Sequence, residues 1–400
     1  VSSASSSSAK PARPGKPSPG TPPAPPAPAP ALTVLQVLPA LKSGGVERGT
    51  LEIAEAIIAA GGKAVVASAG GPLVGKLEKL GAKHVTLPLD TKSPFGIWRN
   101  AGRLAQLIRR EQVAIVHARS RGPAWSAMLA AKRTNRPFIT TYHATYNAET
   151  DLKRWYNSVM ARGQRVIAIS RFIADHIAER YPEATGRITI IPRGADLREF
   201  DPVLVAPERV AQLRQRWGLP ADRPVVMLAA RLSRWKGHAV LIEAMKRLPP
   251  GPIAVLVGDG SARMRGDLEA QIESEELEDR VRLVGHCHDM AAAYLLADVV
   301  VHASTDAEAF GRVVVEAQAM GRPVIAADRG GPRETVEDGV TGWLIKPGSR
   351  SDLAATLARV LGLSQAERTA IGLAARQAVE ARYSLSRMQA ATLAVYREVL

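Results

Sequence analysis

The chain has 400 residues, and 46% of them are hydrophobic; that is more than one ordinary core fills, and it points to two domains of roughly 150 to 200 residues. A single cysteine, Cys287, excludes an intrachain disulfide, and the lack of any long apolar run excludes a membrane-spanning helix. The net charge of +15 is unevenly placed, with +12 in residues 31–200 (25 Lys and Arg against 13 Asp and Glu) and zero in residues 201–400. A first half this basic calls for an anionic partner, such as a membrane surface or an acidic acceptor. Aromatic residues make up 4% of the chain and are not interleaved with the basic runs. No stacking platform is expected, so nucleic acid is not the expected partner.

Residues 1–30 are almost wholly Ser, Ala, Pro and Gly with three cations. They cannot bury enough apolar surface to fold and read as a disordered tail. They hold no apolar segment of the kind a secretory signal needs, so a cytoplasmic protein is expected. From residue 32, short apolar runs alternate with helical stretches. Strands are expected at Leu32–Leu38, Lys63–Ala69, His84–Leu89, Ala114–Arg119, Phe138–Tyr142, Arg165–Ile169 and Arg187–Ile191, with an amphipathic, basic helix at Ile97–Arg110. The rhythm restarts after Pro202, with strands at Val225–Ala229, Ile253–Val257, Val281–Val284, Val299–His302, Val324–Ala326 and Gly342–Ile345, and helices such as His238–Leu248 and Arg312–Ala319. This alternation is that of an α/β protein with two Rossmann-like, doubly wound domains, residues 31–200 and 201–384, followed by a last helix over 385–400. Two such domains face each other across a central cleft, and ligands bind outside the carboxyl ends of their strands.

The chemistry-bearing residues fall at those strand ends. Gly44-Gly45 follows the first strand and opens a helix, where free N–H groups can meet an anion; it fits neither a G-x-G-x-x-G fingerprint nor a Walker A loop. His143 ends the fifth strand. Arg231 and Lys236 follow the first strand of the second domain and suit a double cation clamp on a diphosphate leaving group. Gly258 ends the next strand, where a nucleotide could approach closely. His286, Cys287 and His288 follow another, but three neighbouring ligands without a distant fourth make a weak zinc signal. No Asp-x-Asp occurs. Glu308 and Glu316 are eight residues apart and straddle Phe310-Gly311, the turn into the Arg312–Ala319 helix, which sets two acceptor groups at different depths of one cleft.

This Glu308-to-Glu316 run, with the Gly44-Gly45 turn, the Arg231/Lys236 loop and the Gly330-Gly331-Pro332-Arg333-Glu334 segment, resembles the retaining glycosyltransferases of family 4, which have the GT-B fold. The resemblance covers residues 32–400. It implies that Gly44 and Gly45 touch the donor phosphate, that Arg231 and Lys236 hold the diphosphate, and that Glu308 contacts the transferred sugar near the amides of Phe310 and Gly311. It further implies that Glu316 accepts from the ribose hydroxyls, that His286 lies along the base, that His143 donates to the donor sugar, and that residues 385–400 return to the first domain. The co-substrate would be a nucleotide diphosphate sugar, with UDP or GDP expected, and no cofactor or metal. A glycan or glycolipid acceptor, lipid-linked or of lipopolysaccharide type, is expected, with the chain peripheral on the inner face of an anionic membrane. One departure stands out: Arg193 occupies a position where the family commonly has Asn. Two other readings stay open, a nucleotide-sugar epimerase or hydrolase on the same fold, and a non-catalytic membrane-associated scaffold.

Overall fold

The computed structural model describes residues 1–3, 32–42, 44–147 and 149–400. The expected tail, apart from its first three residues, lies outside the described residues. Residues 32–400 form one compact unit built on two sheets. The first has seven parallel strands, β1 (Thr33–Val37), β2 (Lys63–Ser68), β3 (Lys83–Thr86), β4 (Ile115–Ala118), β5 (Phe138–Tyr142), β6 (Arg165–Ala168) and β7 (Ile188–Ile190), in the order β3-β2-β1-β4-β5-β6-β7. The second has six, β8 (Val225–Ala229), β9 (Ile253–Val257), β10 (Val281–Gly285), β11 (Val299–His302), β12 (Val324–Ala327) and β13 (Trp343–Ile345), in the order β10-β9-β8-β11-β12-β13. Every pairing is parallel, as in the register of Val34 with Ala64 on one side and Ile115 on the other.

These strands read as unbroken apolar runs because helices cover both faces of each sheet. In β1, Leu35 and Val37 face the main core, while Val34 faces a second one with Ile53, Ile57 and Ile115. The main core continues from the first sheet into the second, and Phe200 meets Tyr294 edge to face at 5.8 Å where the two lobes join. The basic helix begins at Pro94, three residues before the expected Ile97. A proline in the first turn gives up an N–H that has no intrahelical partner there, so the earlier start costs nothing.

The chain ends by crossing between lobes. The Gln365–Arg382 helix belongs to the second lobe, and then Ala195 N donates to Tyr383 O and Leu385 N to Ala195 O, both at 2.8 Å. A Cβ on Gly194 would lie 2.4 Å from Ser384 O, so only glycine admits this approach. The final helix, Leu385–Glu398, packs Leu385, Met388 and Tyr396 into the first lobe, where the Tyr396 hydroxyl and His117 Nδ1 are 2.7 Å apart. Among the described residues, no helix is long and apolar enough to cross a membrane.

Strand order reverses between β1 and β4 in one sheet and between β8 and β11 in the other. A crevice opens at such a switch point, and Gly44, Gly45, Arg231, Lys236 and Glu308 follow strands that flank these two.

Candidate active site

On the second lobe, the loop after β8 turns back sharply at Gly237, whose φ is +78° and whose Cβ would lie 1.9 Å from Ala303 O. Only glycine allows that closure, which lays Lys236 against the end of β11. Lys236 Nζ then donates to Glu308 Oε2 at 2.6 Å and sits 4.2 Å above the Trp235 ring. The same carboxylate oxygen lies 2.6 Å from Nε2 of His302, the last residue of β11, and accepts from Ser304 Oγ at 3.3 Å. Burial opposes ionisation of Glu308, but the hydrogen bond and charge of His302 together with Lys236 outweigh it and hold the carboxyl well below its usual range.

Two glycines fix the Glu308 loop. Gly331 N donates to Glu308 O at 2.8 Å, and Gly330, at φ +69°, has room for no Cβ because Glu308 O would be 2.4 Å away. Gly311, at φ +85°, caps the Arg312–Ala319 helix. Phe310 packs edge to face on Tyr383 at 5.9 Å. Glu334, just beyond the glycines, reaches the other lobe and accepts from Arg171 N at 2.8 Å and Phe172 N at 2.6 Å, where the N-terminus of the Arg171–Arg180 helix favours a negative charge.

On the first lobe, Gly45 opens the Gly45–Ala59 helix. Arg193, only 3% exposed, donates to Gly45 O at 2.8 Å and to Glu52 Oε2 at 3.2 Å. It fits because residue 49 is glycine, where a Cβ would stand 2.0 Å from Arg193 Nη1. Burial pulls the Arg193 guanidinium down to about 9 against the charge of Glu52. Glu52 itself stays ionised below its usual range, because Arg193, Arg312 and Arg48 outweigh its burial. His143 follows β5 directly, with Nε2 buried and without a hydrogen-bond partner. Burial, then Arg119, Arg193 and His117, keep its imidazole neutral far below its ordinary range.

Gly44, Gly45, His143, Arg231, Lys236 and Glu308 line one cavity of about 770 Å³ between the lobes, with Phe310 and Gly311 beside them. Three expected residues do not line it. Gly258 stands behind, and its Cβ would meet Ala230 O at 2.1 Å, so its glycine serves the packing of the β9 end against the Arg231 loop. His286 is exposed and meets His288 edge to face at 4.6 Å. Glu316 is 6% exposed and accepts from Arg312 Nε at 3.2 Å and the Tyr294 hydroxyl at 3.0 Å, with Arg48 Nη1 at 3.6 Å. The Cys287 thiol turns to Asp289 O at 3.4 Å, and among the described residues no group of three His, Cys, Asp or Glu is placed to hold a metal.

Sequence reasoning missed three members of this region. His302 left a signal, a histidine closing an apolar strand, where His143 follows one directly. Arg312 and Glu52 left none, since Arg312 Nη1 donates to Glu52 Oε1 at 2.8 Å across the two lobes. The assembled cavity has cations and a polarised carboxylate on one wall and a helix N-terminus with a neutral imidazole on the other. Such a site can bind a polyanion and hydrogen-bond a polyol beside it.

The chain is similar to known proteins over most of its length. Residues 43–199 match the family described as Glycosyltransferase Family 4, and residues 210–378 match that described as Glycosyl transferases group 1. The D-inositol 3-phosphate glycosyltransferase of Xylanimonas cellulosilytica is 32% identical over 304 residues, which cover 71% of this chain and 72% of that one. A crystal structure of a glycosyltransferase from Rickettsia africae superposes with a TM-score of 0.87 at 36% identity, covering 93% of this chain and 99% of that one. Anabaena HepE, solved in complex with UDP and glucose, superposes with a TM-score of 0.82 at 26% identity, covering 92% and 100%.

Proposed function

The chain belongs to the family 4 glycosyltransferases, with their GT-B fold, and we propose that it moves a sugar from a nucleoside diphosphate donor to a hydroxyl of a lipid-linked or lipopolysaccharide-type acceptor, with retention of anomeric configuration. The observation that carries this reading is the Lys236–Glu308–His302 cluster facing Gly44, Gly45 and His143 across one cavity. Arg231 and Lys236 hold the diphosphate and take up the charge that grows on it. They supply what a divalent metal supplies in other transferases, so the proposed reaction is metal-independent.

In the proposed reaction the bond from the anomeric carbon to the phosphate oxygen breaks, and its electron pair leaves with the diphosphate. The acceptor oxygen bonds the same carbon on the same face, and its proton passes to the departing phosphate oxygen. Glu308 and the Phe310-Gly311 amides hold the sugar hydroxyls, and neutral His143 donates from the opposite wall. Glu316 is assigned to the ribose hydroxyls, which would exchange for Arg312 on Oε1, while Gly258 is assigned to the nucleotide and His286 to the base, both from outside the cavity lining. UDP or GDP is the proposed nucleotide, and the UDP and UDP-glucose complexes of Anabaena HepE support the first. The basic first lobe favours action at the cytoplasmic face of an anionic membrane, in cell-envelope glycan synthesis.

The test is turnover of UDP- and GDP-sugars with and without a bacterial lipid extract. Acceptor-dependent release of the nucleoside diphosphate is expected. Conversion of the donor alone would favour an epimerase or hydrolase, and binding without conversion a scaffold.

A further inference from the structure

A second cavity, of about 720 Å³, lies on the first lobe outside the central cleft. Its walls come from three helices: Trp98 from Pro94–Arg110, Trp125 from Arg121–Thr134, and Leu152 and Trp155 from Asp151–Asn157. Trp125 and Trp155 stack at 4.7 Å. Large apolar side chains stay open to solvent at its rim, with Leu152 74%, Trp98 60% and Trp155 54% exposed. Soluble proteins seldom leave such a cluster uncovered without a ligand or partner to fill it.

The lining chemistry selects the occupant. Its amides are already satisfied: Asn157 accepts from Arg121 Nη1 at 2.7 Å and donates to Asn147 O at 2.9 Å, and Asn147 Nδ2 donates to Glu149 at 2.8 Å. A sugar would find few free partners, whereas an alkyl chain needs none. The charged residues of the lining are Lys92, Arg121 and Lys153; among the described residues no carboxylate lines it, and the nearest to Lys153 is Glu149, 3.9 Å from its Nζ at an exposed position where a headgroup can compete. Arg121 lies over the Tyr146 ring at 5.0 Å, and Arg133 over Trp98 at 5.9 Å. An anionic headgroup therefore fits the rim and an apolar chain the floor. The cavity also adjoins the central cleft, since His143, Ala144 and Thr145 line the one and Asn147 the other.

We propose that this groove binds the hydrocarbon chain of a single anionic amphiphile, with its phosphate or carboxylate head at Lys92 and Lys153. Binding requires nothing of the transferase reading; only the assignment of this amphiphile as the lipid part of the acceptor rests on it.

The probe is octyl phosphate below its micelle-forming concentration, followed by tryptophan fluorescence of the full chain, with octanol, inorganic phosphate and anionic vesicles as further arms. A saturable change is expected with octyl phosphate, at least tenfold tighter than with octanol or phosphate. Leu152→Asp, at an exposed position that keeps every tryptophan, should weaken it at least tenfold without moving the melting temperature. Lys92→Glu with Lys153→Glu should abolish the preference for octyl phosphate over octanol. Equal binding to wild type and Leu152→Asp would overturn the proposal, as would binding to vesicles with none to octyl phosphate. Octyl phosphate binding that survives while no nucleotide binds would leave this groove standing and remove the donor site.

Discussion

Lys236 Nζ and Glu308 Oε2 stand 2.6 Å apart although they follow different strands, β8 and β11, of the second sheet. The cation assigned to the leaving diphosphate and the carboxylate assigned to the sugar are thus one unit, with His302 on the same oxygen. Lys236→Ala and Glu308→Gln should each lower kcat by roughly 10² to 10³. The double variant should lose little more than either alone, because partners in one network are not additive. Steady-state rates with a nucleotide sugar and acceptor read this out; losses that multiply would separate the two roles.

Arg193 and Gly49 form a matched pair, since Arg193 Nη1 occupies the space a Cβ at residue 49 would need. Gly49→Ala should destabilise by about 1–3 kcal/mol through overpacking. Arg193→Ala should cost about 2 kcal/mol, because Glu52 loses one charged hydrogen-bond donor while Arg312 and Arg48 remain. The combined variant should be more stable than the sum of the two, as the clash vanishes with the guanidinium. Urea unfolding of the three proteins checks this, and strict additivity would contradict the packing.

His238, the first residue of the helix behind the Arg231/Lys236 loop, is 1% exposed, and neither ring nitrogen makes an aligned hydrogen bond. Burial pushes its imidazole down to about 4, although the Ala230 and Ser233 backbone pulls the other way. The folded protein therefore binds fewer protons at this site than the unfolded chain. Its contribution is complete above about pH 6.5, declines as the pH falls, and is lost by about pH 4, for a total of ~3 kcal/mol. The melting temperature should drop across that window, and less so in His238→Asn measured against its own value at pH 7.5.

The strands were legible because parallel strands buried on both faces must be apolar throughout, as β9 (Ile253–Val257) is. His143, Arg231, Lys236 and Glu308 were legible because each follows a strand end. Glu316 was legible as a helix carboxylate, but its partners were not, since Arg48 and Tyr294 reach it from two other helices. The aromatic groove escaped for the same reason. Few aromatics are spread along the chain, yet folding stacks Trp125 on Trp155 and brings Arg162 within 5.2 Å of the Trp125 ring. A cation–aromatic surface that is absent from the local sequence is thus present in space.

The most direct measurement is isothermal titration of UDP and GDP into metal-stripped protein, with and without added Mg²⁺, repeated on Arg231→Ala. Metal-independent donor binding requires one of the two to bind equally well in both conditions, and at least tenfold more weakly to the variant. Failure of both nucleotides to bind, or binding only once Mg²⁺ is restored, would contradict it.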